Sequence, residues 1–543
     1  MSDTSRPRAT VNGGPRSGTA AHPEAPSRPD APSRTDSPPG HAARTDAGTD
    51  ALVGAALPLL GSWLPGRRWF AGKGRPVTAI TPIAATPLLD GDPTLIHLLL
   101  RVEQRTGGDD QTTADVYQLL LAARADLPGR LGRAAIGRIS GGPYDGTVVY
   151  DAAHDTDLTR WLLTCFAKPG ELGPLVFRRL PGTQIPAGLT GRAVTAEQSN
   201  TSLVYGSALI LKLFRRVSPG INPDLELSLA LARAGSSRIP RPAAWFETRL
   251  TGSDDSDPAT LGLLQQFLAG AADGWELALE HVQRLCTDPE WCGARDGRPS
   301  DHISGNFSAE SFLLGRATAE VHLALARTLP VGVLDRPQTD QLAAGMARRL
   351  DAATVAVPDL LPYRPALQDA FRELAESARD GRALRIQRIH GDLHLGQSMR
   401  TADGWVLLDF EGEPAKSLGE RRRLQPPVRD VAAMLRSFDY AAAHLLAEQP
   451  ATVPDPRGGG RQSADRDHLA RLATAWAVRN RAAFCAGYAA GGGEDPRSDA
   501  VLLRAFEIDK AVYEVVYEAR HRPDWLPIPM SAVRRLAAGA APA

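Results

Sequence analysis

The chain has little of what marks the more specialised protein classes. Its 543 residues include only four cysteines, Cys165, Cys286, Cys292 and Cys485. They are scattered and none forms a C-x-x-C pair, which weighs against a disulfide framework or a zinc cage. Net charge is also missing: 62 Lys+Arg are balanced by 62 Asp+Glu, which weighs against a nucleic-acid binder that relies on a general basic field. No uninterrupted apolar run reaches about 18 residues, so no transmembrane helix and no membrane partner are expected. No basic-then-apolar leader opens the sequence. The expectation is a cytoplasmic protein with reduced thiols, and a monomer by default. Residues 1–50 contain no Leu, Ile, Phe, Trp or Tyr, and eight prolines. Such a segment buries too little apolar surface to offset its ordering entropy, and a disordered tail is expected there.

The rest of the chain has ordinary globular content, 43% hydrophobic and 23% charged, and its length predicts two to four domains. From Ala51 to about 150, apolar runs such as Thr94–Val102 and Asp115–Leu121 are bounded by Gly, Asp and Pro, which predicts strands joined by turns. Residues 155–168 carry Leu158, Trp161, Leu162 and Cys165 at helical spacing. Strands return over 190–270, with a hairpin expected around Gly206-Ser207. A helix carrying Leu225 to Leu231 follows Asn222-Pro223-Asp224, a cap and first turn. Gly252 to Pro258 reads as a surface turn. Beyond 270 the pattern is mostly helical, with loops expected at 294–307, 453–467 and 490–498.

The chemistry concentrates in one stretch, His390-Gly391-Asp392-Leu393-His394-Leu395-Gly396-Gln397, followed by an apolar strand that ends in Asp409-Phe410-Glu411-Gly412. Kinases need these parts in this order. One Asp accepts the proton of the attacking hydroxyl, an amide or carboxylate five positions on reaches the metal, and a second Asp at a strand end binds Mg²⁺ between phosphates. Asp392 is therefore the candidate catalytic base. Gln397, Asp409 and Glu411 are the candidate ligands, hard oxygen donors suited to Mg²⁺. The competing reading is a set of solvated loop carboxylates.

Upstream, Lys212 lies in the apolar strand core Leu209-Ile210-Leu211-Lys212-Leu213, and Glu226 follows in the next helix. A strand lysine on the phosphates of ATP, held by a helix glutamate, is the kinase arrangement. The phosphate-covering turn expected before the lysine reads Gln198-Ser199-Asn200-Thr201-Ser202. It lacks glycine but is rich in hydroxyl, amide and backbone donors. Other phosphate motifs fail: the spacing from Gly66 to Gly72-Lys73 is one residue too long for a Walker loop. A zinc pair of His390 and His394 is disfavoured by Gly391 between them and by the lack of an obvious third ligand.

Taken together these motifs resemble those of the actinobacterial maltokinases, within the aminoglycoside-phosphotransferase-like, eukaryotic-like kinases. The resemblance rests on Arg68-Trp69-Phe70-Ala71-Gly72-Lys73-Gly74, Glu197 to Ser202, Lys212 to Arg216, Gly220 to Glu226, His390 to Gln397 and Asp409 to Pro414. It continues through Arg429 to Tyr440 and Asp509 to Glu518.

It implies an α+β, bilobal protein-kinase-like fold: a cap subdomain over 51–150, an intermediate β-rich N-lobe subdomain over 151–270 and a helical C-lobe over 271–543. It further implies ATP and Mg²⁺ as cofactors, and phosphorylation of maltose at its anomeric hydroxyl, which supplies glycogen and α-glucan synthesis. Some family members are fused or bound to trehalose synthase; no such domain is expected within these residues. A sugar site needs hydrogen-bonding groups and an aromatic face. Arg436, Asp439, Tyr440, Tyr513, Glu514 and Tyr517 are the candidates, with Asp392 and His394 beside the reacting hydroxyl. Their competing reading is packing and solvated charge. Two other functions compete: an aminosugar kinase of the same fold, such as a glucosamine kinase, and a non-catalytic scaffold. The scaffold is disfavoured because Lys212, Glu226, Asp392, Gln397 and Asp409 are all present.

Overall fold

The computed structural model describes residues 47–105, 112–194, 199–250, 258–287, 307–377, 383–413, 416–448 and 459–539. The tail before residue 47, the turn at 252–257 and the loops expected at 294–306 and 453–458 lie outside them. The helix Ala47–Trp63 takes in Ala47 to Asp50, the last four residues of the expected tail. Helical residues Ala47–Gly66 are long and apolar enough, by composition, to cross a membrane. The uninterrupted-run criterion passed over them because Gly, Thr and Ser break the sequence. Their apolar stripe, Leu52, Val53, Ala56 and Leu60, is buried with Ile96, Leu98 and Leu100 of the adjoining sheet.

That sheet is antiparallel, with Val77–Leu89, Thr94–Arg105, Thr112–Arg124, Val148–Asp151 and Ala135–Arg138 in spatial order. Alternating side chains separate two cores. Leu98 and Leu100 face the first helix, whereas Leu95 and Leu99 join a second cluster with Leu211, Leu213 and Phe246. The second sheet has seven strands, and Leu209–Leu213 lies between Thr201–Tyr205 and Ala259–Gln266. The short strand Arg216–Val217 leaves it to pair with Tyr117 and Val116 of the first sheet. The hairpin around Gly206 forms as expected, with Tyr205 opposite Leu209.

The helix Pro223–Arg233 starts at Asn222, whose side chain accepts the Asp224 N–H. Leu225 packs under the N-lobe with Phe214 and Leu263. Leu227, Ala230 and Leu231 join the large C-lobe core. One amphipathic element thus spans both lobes, because residues two apart on a helix face different neighbours. The C-lobe is mostly helical, as expected, with small sheets that include Ser398–Thr401 paired to Gly404–Leu407. Residues 459–467, expected within a loop, belong to the helix Gly459–Ala490.

Candidate active site

Between the lobes lies a cleft of about 1270 Å³. On its upper wall the strand Leu209–Leu213 sends Leu211 and Leu213 into the core, so Lys212, one residue out of phase, faces the cleft. Its Nζ lies 2.8 Å from Asp224 Oδ2 and 3.2 Å from Asp409 Oδ1. Burial alone would lower its pKa. The carboxylates of Asp224, Asp409 and Glu411 outweigh burial and raise it above the ordinary lysine range.

Glu226 is not the partner of Lys212. Asp224, in the first turn of the same helix, takes that place. Two residues on, Glu226 points toward the C-lobe and pairs with Arg388 at 2.8 Å and Arg422 at 3.4 Å. Asp224 also reaches the opposite lobe, where its Oδ1 accepts the Phe410 N–H at 3.1 Å. It therefore ties the lysine to the Asp409 loop.

Asp409 has φ 59°, a left-handed conformation costly for a side chain with a Cβ and found where surrounding structure enforces it. Its Oδ2 accepts from Gln397 Nε2 at 3.0 Å. Burial opposes ionisation of Asp409, but Lys212 and His390 hold its pKa below the usual range. Burial and the charge of Asp409 push Glu411 up to about 8. Oxygens of Asp224, Asp409 and Glu411 lie within 4.8 Å of one another, a carboxylate cluster that fits a hard divalent cation. Asp224 was not foreseen as a ligand. Gln397, expected as one, turns its amide N–H toward Asp409 instead.

On the lower wall, Asp392 is held by a backbone that Asp430 fixes from beneath. Asp430 accepts the His390 N–H at 2.8 Å and the Gly391 N–H at 2.9 Å, and pairs with His322 at 3.0 Å. Gly391 has φ 85°, which a residue with a Cβ adopts only at a cost. His390 Nε2 donates to Leu408 O at 2.6 Å, and its Nδ1 accepts the Asp392 N–H at 3.4 Å. These bonds join the two Asp-bearing segments. Lys510, from the distant helix Ala500–His521, approaches Asp392 Oδ1 at 3.5 Å. Its pKa is raised despite burial, chiefly by Asp392 and Glu514. Sequence reading assigned no role to Lys510 or Asp430, although both lie in motifs that carry the resemblance.

The remaining candidates divide. Ser199 and Asn200 line the cleft, and Asn200 Nδ2 donates to Glu411 Oε1. The Thr201 hydroxyl is instead engaged by Arg215 Nε at 2.8 Å, and the Ser202 side chain is fully buried. Gln198 lies outside the described residues. His394, Tyr440, Tyr513, Glu514 and Tyr517 line the cleft, and Trp275, Glu518, Arg522 and Trp525 join them unforeseen. Burial lowers the pKa of His394.

Arg436 and Asp439, expected to face a sugar, stand behind that wall. Arg436 is wholly buried, with Nε 2.9 Å from Glu514 Oε2 and Nη1 2.7 Å from Asp439. Asp439 is shared with Arg481 at 3.3 Å and Arg535 at 2.9 Å. Both residues serve a buried ion network that orients Glu514.

This site lies in a two-lobed kinase fold. A solved glucosamine kinase, in complex with glucosamine, ADP and inorganic phosphate, superposes with a TM-score of 0.60 at 21% identity, over 88% of this chain and 98% of that one. Residues 63–155 match the family model described as the maltokinase N-terminal cap domain. The chain is a kinase-fold protein with a maltokinase-type cap, as its motifs implied. Among its relatives, the glucosamine kinase of Streptacidiphilus jiangxiensis is 29% identical over 355 residues, covering 63% of this chain and 73% of that protein. The glucosamine kinase of Mycolicibacterium smegmatis is 26% identical over 347 residues, covering 64% and 79%.

Proposed function

We propose that the protein is a cytoplasmic, ATP-dependent sugar kinase that phosphorylates maltose at its anomeric hydroxyl. The product, maltose 1-phosphate, would feed glycogen and other α-glucan synthesis, with a trehalose synthase as the source of maltose. The observation that carries this reading is the wall around Asp392. It offers two neighbouring aromatic platforms, Tyr513 with Tyr517 at 6.3 Å and Tyr440 with Trp525 at 6.4 Å between ring centroids. The two pairs, bridged by Arg522 lying over Tyr517 at 5.5 Å and Trp525 at 4.5 Å and flanked by Glu514 and Glu518, suit a two-ring acceptor with many hydroxyls. The maltokinase-type cap supports the same reading.

In this mechanism Asp392 accepts the proton of the anomeric hydroxyl as its oxygen bonds to the terminal phosphorus of ATP. The bond from that phosphorus to the bridging oxygen breaks, and ADP leaves with the electron pair. Lys510, 3.5 Å from Asp392 Oδ1, orients that carboxylate. Lys212, steadied by Asp224, binds phosphate oxygens of the nucleotide, and Ser199 and Asn200 cover them. Mg²⁺ would be held by Asp224, Asp409 and Glu411, with Gln397 behind Asp409, and would neutralise phosphate charge when bound.

A glucosamine acceptor is the second reading, favoured by the names of the relatives. The second aromatic pair, which a one-ring amino sugar would leave empty, weighs against it. The test is a steady-state comparison of acceptors with ATP and Mg²⁺. Maltose should exceed glucose in kcat/KM by about a hundredfold, since buried groups built for the second ring are left unpaired by glucose. Greater efficiency with glucosamine would replace the maltose reading and leave the kinase reading standing.

A further inference from the structure

Arg421 ends the short helix Leu418–Arg421 and lines the cleft beside the carboxylate cluster. Its Nη1 lies 3.1 Å from the backbone oxygen of Glu411 and 3.8 Å from Glu411 Oε2. Its Nε is buried and without a hydrogen-bond partner. Its side chain is only 12% exposed. A guanidinium forms strong paired bonds with carboxylate or phosphate, and leaving one of its donors buried and unmatched is costly.

The surroundings deepen the mismatch. A second guanidinium, Arg216, lines the same cleft. Arg216 is itself paired with Asp115 at 2.7 Å. Arg421 is therefore a fork held next to the metal-type cluster, with one backbone oxygen, one distant carboxylate oxygen and an unused donor. Gly412 has φ 71°, and a Cβ there would touch the Arg421 stem at 3.6 Å. The turn after Asp409 thus packs directly on the stem and fixes where the fork points.

We propose that Arg421 is a catalytic residue that grips the phosphoryl group during its transfer, an arginine finger supplied by the chain itself. This rests on the kinase reading above. As the acceptor oxygen bonds to phosphorus and the bond to ADP breaks, negative charge spreads over the three equatorial phosphoryl oxygens. The guanidinium then gains the anionic partner that its Nε lacks. A fork that is under-satisfied before the anion arrives and satisfied at the transition state accelerates the chemical step rather than substrate binding.

The test compares full-length wild type, Arg421→Ala and Arg421→Lys. It measures turnover with maltose, and calorimetric affinity for Mg·ADP with and without aluminium fluoride, a mimic of the transferring phosphoryl group. Arg421→Ala should lower kcat by about 10³-fold, the lower range for an arginine finger. It should leave the KM for ATP and the affinity for Mg·ADP within about threefold while abolishing the extra affinity that aluminium fluoride confers. Arg421→Lys, which keeps the charge and stem but not the fork, should recover part of kcat. Equal losses of Mg·ADP and fluoride-complex affinity in both variants would assign Arg421 to holding the Glu411 turn and overturn the proposal. So would unchanged kcat in a folded Arg421→Ala protein. Wild type that turns over no sugar would instead overturn the kinase reading itself.

Discussion

At the residue scale, the site is a division of labour among carboxylates that similar spacing makes look interchangeable. Asp392 lines the cleft, and only Lys510 touches it as a cation among the described residues. Asp392→Asn should cut kcat by about 10²–10⁴, the usual worth of a positioned base, with Mg·ATP affinity nearly unchanged. Near-normal turnover would remove it from that role. Asp224 and Glu226 are the sharper comparison. Asp224 touches both Lys212 and the Phe410 N–H, while Glu226 touches Arg388 and Arg422. Asp224→Asn should weaken Mg·ATP binding at least tenfold in a calorimetric titration, since it removes a charge from both the lysine and the cation cluster. Glu226→Gln should leave that affinity within about threefold and lower the melting temperature instead, because it strips the buried Arg388 of its charged partner. The reverse order would restore Glu226 to the nucleotide site.

At the scale of elements, the difference between lining and supporting residues is decided by helix faces. Tyr513 and Tyr517 are 38% and 39% exposed toward the cleft, whereas Arg436 is wholly buried. Arg436→Leu should destabilise the fold by about 3–5 kcal/mol, because it leaves Glu514 and Asp439 buried with less compensation. Tyr517→Ala should change stability little and raise the KM for maltose more than that for ATP. Thermal melts and steady-state kinetics on the two variants separate the roles. Another buried polar joint links the two N-lobe sheets. His97 Nε2 lies 3.2 Å from Gln118 Oε1, and Gln118 Nε2 donates to Phe214 O at 2.8 Å. Burial lowers the His97 pKa from 6.5 to about 4. The unfolded chain therefore takes up a proton that the folded one refuses. Stability from this group is full above about pH 6.5 and is lost as pH falls toward about 4, on the order of 3 kcal/mol in all. His97→Leu should flatten that part of the acid denaturation profile; an unchanged profile would show that His97 does not govern it.

The candidate catalytic segments were legible as neighbours because Asp392, Gln397 and Asp409 lie within one loop–strand–loop stretch, where spacing alone implies proximity. The partner of Lys212 was misassigned by two residues because a pattern of carboxylates does not say where a helix starts turning its first face to the cleft. Arg436 and Asp439 could not be sorted from the sequence at all. Their burial depends on Arg481, Glu507, Glu514 and Arg535, which reach them from three other helices. Lys510 was missed for a related reason: it stands 118 residues beyond Asp392, and no local rule joins the two.

At the scale of the whole molecule, one cleft brings Lys212 and the carboxylate cluster together with a wall of aromatic and charged side chains. The helix Pro223–Arg233 makes this a single machine. It contributes Asp224 to the cleft and Leu227, Ala230 and Leu231 to the C-lobe core, so the position of one lobe is registered on the other. The most direct test is to incubate the purified protein with maltose, ATP and Mg²⁺, and to follow ADP release and reducing ends together. Each ADP formed should remove one reducing end, because in the proposed reaction the anomeric hydroxyl is the one esterified. Release of ADP with the reducing ends intact would place the phosphate elsewhere on the sugar and contradict anomeric phosphorylation.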